Sequence, residues 1–420
     1  MRGFLEVFRL ELTSLVRSKA LAMLAAASAA WMVVLPRIAT GDGTVEGARE
    51  LYVRYSLGGV FALVAVSLLA SATGALARER AQKRLALTLV RPVRYGAIVL
   101  AKGCALTFAG AAVMALACAL LPLAGPLDGS RACRHVLSPV LPSVREEARA
   151  QYEAYMAHPD TPEAVRRANR ETVLRLLEGK AAERYETVRT NAVASWRFAV
   201  PADAGKELSV RMRFSGQMAS RQDLIGTFRL GGYGSVVSNM TQAVLEIPLR
   251  ATGDGRAAQE LTFENRGKAA VMLRPRRDIE LLYPADGFAF NLVRAYVEMV
   301  SVLALLVAFG LLLSASLSRP VALFVAMVAL LVGEMSPGVV SQCSEELDAT
   351  TSDRIGLALA RITAEVTRPV SALDPISRLS QDTCIEGSEV VRVVAIDLVL
   401  VPLLLAALSG VILPRKEEGA

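Results

Sequence analysis

The sequence predicts an α-helical polytopic membrane protein with six transmembrane helices and a large extracytoplasmic α+β insert between the third and fourth. Three observations carry that prediction. Of the 420 residues, 53% are hydrophobic, more than a soluble domain normally holds, and the mean hydropathy is positive. The apolar residues gather into six runs of the length a bilayer demands, about 20 residues: 20–37, 56–77, 97–124, 292–317, 320–341 and 390–413. Between the third and fourth runs lies a polar block, 125–290, long enough to bury a core of its own.

Residues 1–19 predict a cytoplasmic amphipathic helix. Phe4, Phe8, Leu12 and Leu15, with Leu5 and Val16 beside them, share one face, and Arg2, Glu6, Arg9, Thr13 and Arg17 fall elsewhere. Two placements suit that periodicity: a helix lying in the membrane interface, or a straight extension of the first span into the cytosol. The Ala-rich stretch from Leu21 to Ala30 also offers small residues that a signal peptidase could cut. Against cleavage, the head carries Arg2, Arg9, Arg17 and Lys19 together with Glu6 and Glu11, longer and more patterned than a signal peptide needs. An uncleaved anchor is expected.

Orientation follows from Lys and Arg in the short flanks, because loops rich in them stay in the cytoplasm. Arg2, Arg9, Arg17 and Lys19 precede the first span; Arg78, Arg80, Lys83, Arg84, Arg91 and Arg94 follow the second; Arg319, Arg415 and Lys416 flank the later ones. The loop between the first two spans holds only Arg37, Arg49 and Arg54. Both termini are therefore expected in the cytoplasm of a multi-pass protein of the bacterial plasma (inner) membrane, where lipid is itself a partner. A preference for Arg over Lys suits a bacterial genome rich in G and C. These flanks explain most of the net charge of +7, so no nucleic-acid partner is expected.

Within the insert, 143–190 reads as helical and 195–285 as β-rich. The runs 143–157 and 161–188 are rich in Ala, Glu and Arg, with Asp160 as a helix cap and Glu163 completing a capping box. Beyond them the period changes to two: Leu208, Val210, Met212 and Phe214 alternate with polar neighbours. Short runs at Leu245, Ile247 and Leu249, at Leu261 and Phe263, and at Ile279, Leu281 and Tyr283 repeat the rhythm, which predicts a small β-sandwich. Residues 342–389 form an outer loop with short helices, and 414–420 a cytoplasmic tail.

The stretch FRLELTSLVRSKALAMLA, an acidic residue and a basic Ser-containing turn before the first span, resembles the amino-terminal helix of the type-2 ABC transporter permeases. The loop after the second span is similar to that family's segment of an acidic residue, a Leu/Thr-rich stretch, Arg-Pro-Val and a Gly-Lys pair. Here those positions are Glu79, Leu85, Leu87, Thr88, Leu89, Arg91, Pro92, Val93, Lys102 and Gly103. LSRPVALFVA at 317–326 and LDPISRLSQDTCIEGSEVV before the last span add to the likeness, which covers the membrane part and not the insert. Two departures stand out: Lys83-Arg84-Leu85-Ala86 where many members have Gly-Thr-Leu-Glu, and the inverted order Lys102-Gly103.

The resemblance implies the membrane subunit of an ATP-driven exporter, working with a second permease copy, as homodimer or heterodimer, and with a separate ABC ATPase subunit that holds the ATP and Mg. Residues 78–95 would be the coupling loop. Physically, Arg78, Glu79, Arg80, Lys83 and Arg84 beside Leu85, Leu87 and Leu89 offer charge and an apolar ridge that a partner's groove can grip, with Pro92 ending the segment and Arg91 near headgroups. A loop that contacts only lipid would carry similar charge. The alternative to transport is a membrane-anchored sensory or assembly module, with ATP used for mechanical signalling through the insert; in either case the insert could dock an extracytoplasmic partner protein.

Catalytic machinery is scarce. No G-x-x-x-x-G-K-[ST] sequence occurs, since Gly179-Lys180 and Gly267-Lys268 are each followed by Ala. His135 and His158 are the only histidines, with no H-E-x-x-H and no paired Cys-x-x-Cys. No catalytic residue, metal site or bound cofactor is therefore assigned, and the chain is not expected to be an enzyme. Ionisable residues inside spans cost about 2.5–3.5 kcal/mol each near the bilayer centre, which singles out Arg294, Glu298, Arg392 and Asp397, either as a packing cluster or as a polar path. Cys343 and Cys384 bracket one outer loop, and a disulfide there would be worth about 4 kcal/mol. Cys104 and Cys118 read as packing residues, and Cys133 would stay unpaired.

Overall fold

The computed structural model describes residues 2–38, 45–82, 94–124, 132–140, 144–158, 170–201, 207–213, 225–230, 233–238, 244–250, 258–267, 270–273, 275–343 and 374–417. Its elements run α1 (Arg2–Arg17), α2 (Ala20–Ile38), α3 (Val45–Ala81), α4 (Tyr95–Ala124), β1 (Ala132–Leu137), α5 (Val144–Ala157), α6 (Arg170–Glu186), β2 (Thr187–Val188), β3 (Val193–Ala199), β4 (Glu207–Arg213) and β5 (Ile225–Leu230). There follow β6 (Tyr233–Ser238), β7 (Val244–Arg250), β8 (Ala258–Asn265), β9 (Val271–Met272), α7 (Pro275–Asp278), β10 (Ile279–Gly287), α8 (Phe288–Ser316), α9 (Arg319–Cys343), α10 (Pro375–Ser380), α11 (Gly387–Val393), a π-helical turn (Val394–Leu400) and α12 (Val401–Glu417). Two compact units result: Met1–Arg131 with Gly287–Ala420, and Ala132–Asp286.

The elements described in the first unit are helices. Among the described residues five helices are long and apolar enough to cross a membrane: Ala20–Ile38, Gly47–Arg80, Tyr95–Leu123, Phe288–Ser316 and Gly387–Leu413. Each overlaps one of the expected spans, 97–124 and 292–317 running one residue past the helical window. The expected run 320–341 falls in α9, whose side chains are described as far as Leu331, an apolar stretch of Arg319–Leu331. Helix α3 begins about three turns before the hydropathy window at 56, because Glu46, Arg49, Glu50 and Arg54 lower hydropathy without opposing helix formation.

Helix α8 is the axis of this unit: 67% of its apolar window is buried, against 11% for α2. It packs on α3, α4 and α12. Two glycines mark close crossings of this helix bundle. A Cβ on Gly310 would lie 2.8 Å from Ala72 Cβ of α3, and one on Gly410 of α12 would lie 2.9 Å from the Gly96 backbone of α4. At the amino terminus Lys19 takes a left-handed conformation, φ 59°, which ends α1 before α2 starts. Helix α1 is thus no straight extension of the first span; it folds back on α4, with Phe8 edge-on to Phe108 at 6.3 Å.

The second unit holds two four-stranded sheets, ordered β1-β10-β4-β7 and β3-β8-β5-β6, and a two-stranded β2-β9 ribbon. The expected strand around Leu208, Val210 and Met212 is β4, paired antiparallel with β7 (Val210↔Ile247) and β10 (Val210↔Leu281). Its inward residues meet Trp196, Phe198, Phe228, Leu230, Leu261 and Phe263 of the other sheet in one core. Phe228 and Phe263, cross-strand partners, stack with ring centroids 4.7 Å apart. The expected helix 143–157 is α5. The expected helix 161–188 appears as α6, giving way at Thr187 to β2; Asp160, Glu163 and Phe214 lie outside the described residues.

Candidate functional site

Polar side chains of the helical unit gather in two places. The first is built on Lys102, in the second turn of α4, where an apolar run (AIVLAKGCALTF) surrounds a lone charge. Its Nζ donates to Glu11 Oε2 of α1 and to Glu79 Oε1 in the last turn of α3, each at 2.7 Å. The lysine side chain is 4% exposed. One cation therefore ties three helices, and Glu79 Oε2 is buried with no hydrogen-bond partner.

The same end of α3 is fastened to the end of α8. Arg80 donates from Nη2 to the carbonyls of Ser314 (2.7 Å) and Leu317 (3.0 Å), orphan acceptors of a helix C-terminus. Ser314 Oγ accepts from the backbone amides of Leu76 (3.1 Å) and Ala77 (3.0 Å). Arg78 and Arg319 lie close together over Gly74, where a Cβ would stand 3.2 Å from each Nε. Of the expected coupling residues, Arg78, Glu79 and Arg80 thus belong to the helix α3 rather than to a separate loop. Lys83, Arg84, Leu85, Leu87, Leu89, Arg91 and Pro92 lie outside the described residues.

The second gathering surrounds residues 378–386. Arg49 of α3 donates to Asp382 Oδ1 at 2.9 Å, both side chains buried, with its guanidinium 5.4 Å from the Phe288 ring centroid. Asn291 of α8 closes two bonds with this segment, donating from Nδ2 to the Thr383 carbonyl and accepting at Oδ1 from the Ile385 amide, both at 2.8 Å. Arg294 donates to the Ile385 carbonyl (2.9 Å) and to Cys384 Sγ (3.3 Å), and lies over Phe290. The side chain of Cys343 lies outside the described residues.

The other expected intramembrane charges divide. Glu298 is 1% exposed with Oε1 lacking a hydrogen-bond partner, and the charges that act on it are those of Glu389 and Arg378, which are ion-paired to each other. Asp397, on the π-turn, is 5% exposed with Oδ1 likewise unmet, and the charge acting on it is Arg392, itself exposed. Arg378 lies outside the spans. Burial works against its charge, but the carboxylates of Glu389, Glu298 and Asp374 together outweigh that and raise its pKa.

In the second unit, Asn265 is fully buried and serves as a hub. Its Nδ2 donates to the Val188 carbonyl, its Oδ1 accepts from Gly267 N, and its backbone bonds Asn191 and Ala192. On β1, β10, β4 and β7, Arg134, Arg211, Glu246 and Glu280 form a cross-strand charge ladder. His135 lies against Tyr283, ring centroids 5.0 Å apart. Among the described residues no group of three or more His, Cys, Asp or Glu is placed to hold a metal ion.

Sequence reasoning named Glu11, Glu79 and Lys102 but not their meeting; a lone lysine in an apolar run calls for a buried partner without saying which residue supplies it. Nothing in the sequence pointed from Arg49 to Asp382. Both gatherings are structural in chemistry, fixed charges and caps that hold helix ends. No family model, no curated protein and no solved structure matches the chain.

Proposed function

We propose that this chain is the membrane-spanning permease subunit of an ATP-driven exporter of the type-2 ABC class, working with a second permease copy and a separate ATPase subunit that supplies ATP hydrolysis. In this reading the membrane part has six spans, α9 being the fifth; both termini and residues 78–95 face the cytoplasm of the bacterial plasma membrane, and the unit Ala132–Asp286 is the outer insert. One observation carries it. Three positions that make the sequence resemblance, Glu11, Glu79 and Lys102, meet in a single ion-paired node at the foot of the segment a partner would push. A displacement at 83–93 would pass through α3 to α1 and α4 by that node, and to α8 through Arg80 and Ser314.

The test is capture of the native complex. Affinity-tagged full-length chain, purified from its own membranes under mild detergent, is expected to bring down a nucleotide-binding ATPase, and Lys83→Glu with Arg84→Glu is expected to release it while the chain stays folded. Recovery of no ATPase, or capture indifferent to those substitutions, overturns the reading. Reconstituted complex that hydrolyses ATP yet moves no solute would favour the signalling alternative.

A further inference from the structure

A cleft of about 440 Å³ runs between α4, α8 and the last helix of the membrane unit, within the size range of ligand sites. Its floor is small and buried, Ala304 and Ala308 of α8 being 5% and 8% exposed. Among the described residues its walls carry no charge, and Cys104 and Thr107 are their only polar side chains. Phe108, Val399 and Leu403 line it and are 57%, 47% and 45% exposed, so it opens sideways, onto the surface that spanning helices present to hydrocarbon.

The π-turn shapes the cleft. Pro402 has no amide to give the Leu398 carbonyl, and the helix there slips to a wider register, the Val401 amide reaching Ile396. Leu398 and Val399 of that turn form one wall. The depth is equally specific. The lining runs from Val99 to Ala111 on α4, about 18 Å of helix, near the amino end of that helix. On α8 and the last helix it begins just before the midpoint and runs into the later half, Val300–Leu311 and Leu398–Ala406. All three offset it from the middle of the bundle toward the end that holds Lys102, over a length close to one leaflet of a hydrocarbon core about 30 Å thick.

From chemistry, length and lateral opening together we infer that this cleft binds one acyl chain of a membrane phospholipid. An uncharged wall excludes a polar cargo, and an apolar chain is the only bilayer component that fits a one-leaflet groove open to its side. Helix α1 lies at the mouth, where Phe8 meets Phe108, so a held chain would bear on the helix whose Glu11 closes the ion node. The inference does not depend on the transporter reading.

The experiment uses full-length protein in phosphatidylcholine nanodiscs doped with a phosphatidylcholine carrying a diazirine on its acyl chain, irradiated and mapped by peptide mass spectrometry. Adducts are expected on Cys104, Thr107 and Leu403, saturating as the photolipid fraction rises, while those on outward-facing Phe324 and Leu331 rise in proportion. Ala304→Phe, which fills the floor, is expected to lower cleft labelling at least about tenfold and leave Phe324 and Leu331 unchanged; Ala308→Leu serves where that variant does not fold. Cleft labelling that fails to saturate in the unaltered protein, or that survives either filled variant, overturns the inference and leaves only annular lipid.

Discussion

Lys102 shows how much of this molecule depends on single charges placed where water is scarce. Its ammonium holds two carboxylates from different helices at 2.7 Å, so Lys102→Met would leave Glu11 and Glu79 facing each other without a cation. Breaking a buried ion pair from one side costs about 3–5 kcal/mol, and a loss of that size is expected in the thermal unfolding of purified protein. An unchanged midpoint would mean that the carboxylates find other donors. These residues entered the sequence reading through the family resemblance; each also interrupts a local pattern, Lys102 an apolar run, Glu79 a basic turn and Glu11 an amphipathic helix, yet the charges singled out inside spans did not include Lys102. Their meeting was not legible, since a contact between residues 91 apart in sequence leaves no trace in either neighbourhood. Arg49 illustrates the opposite failure; as one of few basic residues in a short loop it read as a topological marker, whereas the structure closes it on Asp382.

Among the elements, helix crossings depend on what is absent. Gly310 and Gly410 let backbones approach to distances at which a side chain would collide with Ala72 and with Gly96. Gly310→Leu is therefore expected to cost about 1–3 kcal/mol by overpacking, read as a lowered unfolding midpoint with the helical content retained; a neutral effect would mean α3 and α8 separate freely. Period-two alternation made β4, β7, β8 and β10 legible because their inward residues are aliphatic or Phe against charged neighbours. β5 and β6 escaped notice because Gly226 and Gly234 interrupt so short a pattern, and β3 because Ala194 and Ser195 blur its start. The start of α3 lies outside the hydropathy window because such windows penalise a polar helical turn, and a left-handed Lys19 carries none of the usual Gly signal that would have chosen between the two placements of α1.

For the molecule as a whole, composition divides the chain into apolar flanks and a polar block at 125–290, and the structure divides it at Ala132–Asp286. Sidedness is the property that the proposed function adds. With the native cysteines replaced, Gln82→Cys and Ser195→Cys, both at exposed positions, are expected to differ toward a membrane-impermeant maleimide. Intact cells, their outer membrane made permeable, should label position 195, and position 82 only after the inner membrane is opened. The reverse pattern would invert the topology and remove the coupling segment from reach of any cytosolic ATPase.

The helical unit is discontinuous in sequence, and that bears on how it is made. Helices α3 and α4 leave the ribosome before Ala132–Asp286, whereas α8, the axis against which they pack, comes after it. At about 5–20 residues per second, roughly ten to thirty seconds separate the first half-bundle from its missing centre. Throughout that interval α3 presents Ala72 to a Gly310 not yet made, the carbonyls that Arg80 will meet do not exist, and the early helices must wait with their inner faces uncovered.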